Sequence, residues 1–428
     1  MIPKEMRWEI TSKCNLKCKH CIVEHVKNED LDLEANKTIV DKLKKNGVME
    51  ILFTSKEPFA YNGFLDLIRY CSINDIYVSI ITNGTLIDDE AIKYLYRQKI
   101  KFIAISLDGW TSSSNDFIRG TGTFEKIVRT IEKLCLENKV QKNTYIPIYI
   151  QNLLTNQNTD EIDAMFELLD KYPDVQVSIG QITESGNASN HKECIVDQSK
   201  FRKAKQEIMT RNKQLRRRIF FKDESYFEGV WFNYLNGRSF KAEPPKCSID
   251  ENYYTLLPNG DMCKCIMLKD VEEKVAYEAV FGNILNENIY PNYNFDFDRS
   301  YKNVGRCKDC RVVKACNLCY IVSKSENKMD EQRALCDYYE KKINLEVDNL
   351  LKQNLRVNIN KNVIVKNEKL FLQKDDHSIV PVDCCEKVAT KLKEMMSLKD
   401  ENIKLNELDY SFQTVEEMIY QNLIFKVE

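Results

Sequence analysis

Short apolar runs alternate with amphipathic stretches through the first half of the chain. Residues 7–12, 50–54, 77–82, 102–107, 146–151 and 175–179 are short, apolar and rich in β-branched side chains, the pattern of strands buried on both faces. Between them, residues 33–46, 63–73, 88–98, 123–138 and 159–171 repeat apolar positions every three or four residues, as helices covering a sheet do. This βα alternation predicts a parallel sheet. About six such units suit a partial barrel or an open doubly wound sheet. In both, chemistry gathers at the strand C-termini and the loops that follow. Residues 14–21, 55–58, 82–85 and 106–109 occupy those places.

Beyond the sheet, residues 201–219 read as a helix with Phe201, Ala204, Ile208, Leu215 and Ile219 on one side. From Pro244 to Cys336 the texture changes to prolines, short turns and cysteines. A stretch with so little apolar periodicity is expected to be held by metal. A helix over 334–353 closes it. Residues 356–428 form a smaller α+β pattern of short strands, a helix carrying Val388, Leu392 and Met395, and a last helix carrying Val415, Met418, Ile419 and Leu423. Three domains are expected: 1–225, 226–350 and 351–428.

Composition narrows the function. The chain has 428 residues, with 63 Lys+Arg against 65 Asp+Glu. That balance argues against nucleic acid or an anionic membrane as partner. No apolar run approaches the roughly 18 residues a bilayer span needs, and residues 1–10 lack the apolar stretch of a signal peptide. A cytoplasmic protein is expected. Sixteen cysteines then stand out. In a reducing compartment, clustered thiols read as metal ligands rather than disulfides. Cys71 and Cys135 instead fall on apolar helix faces and read as core, and Cys384–Cys385 reads as structural.

The first cluster is Cys14-x-x-x-Cys18-x-x-Cys21, directly after the first strand. Three thiolates can bind three irons of a cubane and leave the fourth open to an outside ligand. The stretch Trp8-Glu9-Ile10-Thr11-Ser12-Lys13-Cys14-Asn15-Leu16-Lys17-Cys18-Lys19-His20-Cys21 resembles the signature of the radical S-adenosylmethionine (SAM) superfamily. Later segments match that family in order: Ser55-Lys56-Glu57-Pro58, Thr82-Asn83-Gly84-Thr85, Ser106-Leu107-Asp108-Gly109 and Arg119-Gly120-Thr121-Gly122. The resemblance implies a partial (β/α)6 barrel that binds one [4Fe–4S] cluster through Cys14, Cys18 and Cys21. It implies a SAM site formed by His20 beside the adenine, Ser55, Glu57 on the ammonium group, Thr82, Asn83, Ser106, Asp108, Arg119 and Leu154. One departure is visible. The family has two glycines where this chain has Ser55 and Lys56, and glycine is the residue that permits close approach and unusual dihedrals.

The second group is Cys247, Cys263, Cys265, Cys307, Cys310, Cys316, Cys319 and Cys336, with Gly260 ahead of Cys263. Its order resembles the SPASM extension of radical SAM enzymes that modify peptides and proteins. By that resemblance, Cys307, Cys310, Cys316 and Cys336 would hold one auxiliary [4Fe–4S] cluster. Cys247, Cys265 and Cys319 would hold a second, with Cys263 or an open iron completing it. Zinc is the competing metal, since paired Cys-x-x-Cys units suit tetrahedral Zn²⁺ as well.

The resemblance implies an α/β enzyme: a radical SAM barrel, a Cys-rich SPASM extension and a small C-terminal α+β module with a winged helix as its candidate form. The expected activity is radical maturation of a ribosomal peptide carrying a leader, through a thioether or carbon–carbon cross-link. The electron donor would be a flavodoxin or ferredoxin. Ile266 stands where sulfatase-maturing members carry an acidic residue, which argues against that branch. A small-molecule radical enzyme and a non-catalytic cluster- or zinc-bearing binding protein are the alternatives.

Overall fold

The structure is a computed structural model. It describes residues 4–22, 29–141, 143–182, 184, 186–215, 219–221, 225–236, 254–263, 280–286, 300–316, 326–352, 356–359, 363–366, 369–373, 379–381, 386–397, 403–404, 411–421 and 423–426. The chain divides into two compact units. One comprises Met1–Lys222 with Ser248–Phe295, and the other Asp223–Cys247 with Asp296–Glu428.

The first unit is a βα repeat. Its strands are β1 (Glu5–Trp8), β2 (Glu50–Phe53), β3 (Tyr77–Thr82), β4 (Ile100–Ser106), β5 (Ile148–Leu154), β6 (Gln176–Gln181) and β7 (Ile219–Phe221). The helices between them are α1 (Leu33–Lys45), α2 (Phe64–Ile73), α3 (Asp89–Leu95), α4 (Ser112–Arg119), α5 (Thr123–Val140), α6 (Ile162–Lys171) and α7 (Gln198–Leu215). Strands β1 to β7 lie side by side in sequence order, each parallel to the next. The order never reverses, so the winding is that of a barrel segment and not of a doubly wound sheet. The fold is α/β with a mostly parallel sheet, as expected.

Helix starts follow from local chemistry. Asp32 accepts a hydrogen bond from Ala35 N at 2.8 Å, and Asp88 from Ala91 N at 2.8 Å. Thr111 and Ser114 form a reciprocal capping box at the start of α4. Such caps satisfy otherwise orphaned N–H groups and contribute about 1 kcal/mol each. Sheet and helices meet in an apolar layer in which Ile51, Phe53, Leu67, Ile68, Val78, Ile80, Ile103, Ile105, Ile127 and Ile131 are buried.

The sheet continues past β1 on its other side. Strand β8 (Thr255–Leu256) pairs parallel with β1, followed by the antiparallel β9 (Asp261–Cys263) and β10 (Val280–Asn283). Strand β1 therefore has neighbours on both edges. Glu9 N donates to Leu256 O at 2.8 Å, and Leu31 N to Pro258 O at 3.1 Å. The two ends of the stretch carrying the first three cysteines are thus pinned by residues more than 220 positions away in sequence.

In the second unit, α8 (Tyr226–Asn236) packs with the long α9 (Glu326–Lys352), and Tyr234 Oη donates to the buried Glu346 at 3.1 Å. Two three-stranded sheets follow. One joins β11 (Arg356–Ile359), β15 (Ile403–Lys404) and β16 (Ile424–Lys426). The other joins β12 (Val363–Lys366), β13 (Lys369–Gln373) and β14 (Ile379–Pro381). Helices α10 (Glu386–Ser397) and α11 (Phe412–Tyr420) bury Val388, Leu392, Met395, Val415, Met418 and Ile419. Cys384–Cys385 lies outside the described residues. Among the described residues, no helix is long and apolar enough to cross a membrane.

Candidate active site and cysteine centres

The loop after β1 presents Cys14 exposed, Cys18 buried and Cys21 between the two. The Cys18 thiol is pushed up to about 11, first by burial, with Arg119 pulling it down and Asp108, Cys21 and Cys14 raising it further. The three sulfurs therefore sense one another. Arg119 Nη1 lies 4.0 Å from Cys18 Sγ. Left alone, Cys18 stays a thiol; iron would supply the positive charge that stabilises a thiolate. The donor set suits a cluster bound by three sulfurs with one iron left open.

Glu57 stands across the loop and is fully buried. Its Oε1 accepts from Phe59 N at 3.0 Å and Thr82 Oγ1 at 2.8 Å, and its Oε2 accepts from Asn83 N at 2.7 Å. A carboxylate has about four acceptor positions, so Oε2 keeps one for another donor. Burial raises the Glu57 pKa in spite of these bonds, and a cation beside it would offset that cost. An ammonium group meets both conditions.

Ser55, two residues before Glu57, has φ of +80°. This is the left-handed region that glycine fills without strain. The backbone thus keeps a glycine-type turn with a serine in it. Asn83 Nδ2 donates to Asn15 Oδ1 at 2.9 Å, and Asn15 Nδ2 to Thr85 Oγ1 at 2.8 Å. These bonds tie the β3 end to the cysteine loop.

Asp108, at the end of β4, joins three elements. Its Oδ2 lies 2.5 Å from His20 Nε2 and 2.5 Å from Arg119 Nη2, and its Oδ1 accepts from Leu153 N at 2.9 Å. Burial alone would raise its pKa, but the Arg119 and His20 charges and these bonds hold it well below the usual carboxylate range. Arg119 Nε is buried with no partner, a donor left available to an acceptor such as a bound carboxylate. Ser106 is partly exposed at the β4 end, and Leu154 is buried at the β5 end. The structure thus gathers Cys14, Cys18, Cys21, His20, Glu57, Thr82, Asn83, Asp108 and Arg119 at one end of the sheet, by direct contacts or a shared loop.

Several positioning residues carry no recognisable sequence signal. Asn115 Oδ1 accepts from Asp108 N at 3.0 Å, and Asn158 Nδ2 donates to Asp108 O at 2.8 Å. Asp116 accepts from Phe124 N at 2.8 Å and Gly122 N at 2.5 Å, closing the turn that presents Arg119. After β6, Asn187 Nδ2 donates to Cys18 O at 3.0 Å and Asn187 N to Cys21 O at 2.9 Å. A Cβ on Gly186 would sit 2.6 Å from Cys21 O, and Gly186 has φ of +58°. Only the Gly186-Asn187 pair hints at a turn here.

In the second unit, Cys307, Cys310, Cys316 and Cys336 line one cavity together with Ser225, Tyr226, Phe227, Arg306, Gln332 and Arg333. The Cys316 thiol is pushed up to about 12 by burial, with further contributions from Cys336, Cys310 and Cys307. Among the described residues no three such side chains, these four included, are arranged to hold a single metal ion; four thiols around one cavity are the donor set of an iron–sulfur cluster. Cys263 lies buried in β9, paired with Thr255 and Val280. Cys247, Cys265 and Cys319 lie outside the described residues.

Comparison with known proteins bears on this arrangement. Residues 8–169 match the radical SAM superfamily. Mycofactocin maturase MftC of Mycolicibacterium smegmatis is 30% identical over 169 residues, covering 39% of this chain and 42% of that protein. AlbA of Bacillus subtilis, the antilisterial bacteriocin subtilosin biosynthesis protein, is 34% identical over 138 residues, 31% of each chain. The chain therefore spans less than half the length of these relatives. Among solved structures, Streptococcus suis SuiB bound to S-adenosylmethionine is similar with TM-score 0.58 and 18% identity, covering 77% of this chain and 76% of that one. A structure of anSMEcpe with bound AdoMet is similar with TM-score 0.60 and 18% identity, covering 81% of this chain and 100% of that one. These two show the shared fold. Residues 8–169 of this chain therefore carry a domain of the radical SAM superfamily.

Proposed function

We propose that this protein is a radical SAM maturase of a ribosomally made peptide, with a SPASM-type extension holding auxiliary clusters. The observation that carries the reading is Glu57: a fully buried carboxylate with one acceptor position unused, across the loop from three cysteines. Cys14, Cys18 and Cys21 would hold a [4Fe–4S] cluster; Glu57 would orient the SAM ammonium group; Arg119, kept in place by Asp108, would take the carboxylate. His20, Ser55, Thr82, Asn83, Ser106 and Leu154 would complete the SAM site. When bound there, the cluster and SAM would supply hydrogen-abstracting radical chemistry. The chain's part is to orient the cofactor and exclude water.

Cys307, Cys310, Cys316 and Cys336 would hold one auxiliary cluster. Cys247, Cys265 and Cys319, with Cys263 or an open iron, would hold a second. The peptide substrate is supported by the relatives named as mycofactocin maturase and subtilosin biosynthesis protein, and by similar chains solved with a precursor peptide or with the Cp18Cys peptide. A leader on that peptide, a thioether or carbon–carbon cross-link as product, and a flavodoxin or ferredoxin as electron donor belong to the same proposal. A second reading, a small-molecule substrate, is favoured by the Fe-coproporphyrin III synthase of Methanosarcina barkeri, 27% identical over 50% of this chain.

The test is anaerobic. Reconstituted protein is incubated with SAM and dithionite, beside a C14A/C18A/C21A variant, and 5′-deoxyadenosine is assayed. Formation by the parent and none by the variant is expected. No formation by fully iron-loaded parent, with or without a genomically adjacent peptide, would overturn the reading and leave a binding protein. Turnover stimulated by porphyrin and not by peptide would favour the second reading.

A further inference from the structure

The four-cysteine cavity is surrounded by donors aimed at sulfur. Ser225 and Gln332 both donate to Cys336, the second with Nε2 4.0 Å from Sγ. Arg333 donates to Cys307 and lines the same cavity, and its Nε is buried with no partner. Arg306 lines it too. Two guanidiniums beside four sulfurs are more than a structural metal needs, because thiolate ligation already fixes such a site.

The two arginines are compensated differently. Arg306 meets two carboxylates, with Nε 2.5 Å from Asp337 Oδ1 and Nη2 paired with Glu340, and it stacks over Phe227 at 4.8 Å. Its charge is largely spoken for within the protein. Arg333 meets one carboxylate, Asp330, at 3.0 Å and one turn back along α9. That carboxylate is 67% exposed, so water screens the pair and weakens the compensation. Arg333 is thus the less neutralised positive charge at the cavity, and it also donates directly to a ligand sulfur.

We propose that Arg333 is a potential-setting residue of the four-cysteine site: its guanidinium biases a cluster held there toward the reduced, more negative state. The proposal rests on the iron–sulfur reading of that cavity. The physical ground is general. Reduction adds one negative charge to a cluster that is already anionic, and nearby positive charge and hydrogen bonds to sulfur stabilise the added electron. Asp330 tempers the effect from outside. The two residues should therefore act in opposite directions, which distinguishes electrostatic tuning from loosening of the fold.

The experiment is a redox titration followed by electron paramagnetic resonance, in full-length C14A/C18A/C21A protein so that only auxiliary clusters contribute. A C310A derivative identifies the signal of this cavity by its loss, and iron and sulfide are counted in every sample. The expected result is that R333Q keeps its iron and lowers the reduced-to-oxidised ratio at a fixed potential about tenfold, equivalent to about 59 mV for one electron. R333K should recover much of that loss, and D330N should move the ratio upward. An iron-loaded R333Q with an unmoved potential, or R333Q and D330N shifting the same way, would overturn the proposal alone. If R333Q does not load, D330N decides by the sign of its shift. Equal iron in the C310A derivative and its background, or zinc in place of iron, would instead overturn the cluster reading of the cavity.

Discussion

Asn187 holds Cys18 from a distance of 169 positions in sequence, its side-chain amide donating to the cysteine's carbonyl at 3.0 Å. Its own N–H takes the Cys21 carbonyl at 2.9 Å, so one asparagine braces both ends of the Cys-x-x-Cys segment. Replacing it by alanine leaves the backbone bond and removes the side-chain one, a loss of about 1 kcal/mol. The expected outcome for Asn187→Ala is roughly fivefold faster iron loss to a chelator from the three-cysteine site. Stopped-flow absorbance with a ferrous chelator measures it, with the C14A/C18A/C21A variant as the blank.

Asp108→Asn should be costly. It leaves Arg119 buried without its ion-pair partner, and breaking a buried pair from one side costs about 3–5 kcal/mol. The pH dependence follows from the depressed Asp108 pKa. Because the folded pKa lies below the unfolded value near 3.9, the stabilisation is fully present above about pH 4. It is lost as pH falls through the folded pKa. Urea melts at pH 5 should therefore show the full gap between parent and variant, and melts below about pH 4 a narrowing one.

Ser55→Gly should stabilise the loop before Glu57. A non-glycine residue at φ of +80° carries strain of about 1 kcal/mol that glycine relieves. An increase in the urea midpoint of that order is expected, with SAM affinity preserved or improved. A lower midpoint would mean that the serine hydroxyl makes a contact worth more than the strain.

Cys71 and Cys14 should differ sharply toward alkylating reagents. Cys71 is fully buried and its thiol is pushed up to about 12 by burial. At pH 8 only about one such thiol in ten thousand is ionised. In metal-free protein, mass spectrometry should find Cys14 modified by iodoacetamide within minutes and Cys71 unmodified until the chain unfolds.

Much of the first unit was legible because β2 and most of β3 are buried on both faces, while β5 alternates buried and partly exposed positions. The run 77–82 is recovered to the residue as β3, and 50–54 to within one as β2. Several elements were not. Helix α4 has the sequence SSSNDFIR, which holds too few apolar residues to show a period. It exists because of its Thr111 cap and the bonds Glu161 makes to Thr111 and Ser114. Ile219 fits the apolar face of the helix before it, yet it opens β7, because pairing with Val177 of β6 outweighs helical spacing. Strands β8 and β9 span two and three residues, too short for any periodicity to register. In the site, the cysteines, Glu57 and Asp108 stood out by motif order. Asn115, Asn158 and Asn187 did not, because an asparagine reveals its partner only when distant backbone is brought beside it.

The pinning of Glu9 by Leu256 and of Leu31 by Pro258 sets a schedule for biosynthesis. A ribosome adds about 5–20 residues per second, so the anchors of this loop trail its cysteines by roughly 12–50 s. During that interval β1 has one hydrogen-bonding edge open and the three thiols hang on an unfinished loop. Iron delivered to the nascent chain would meet a site not yet shaped to retain it. Loading of the first centre is therefore a late event, timed by strands that in sequence belong to the cysteine-rich half.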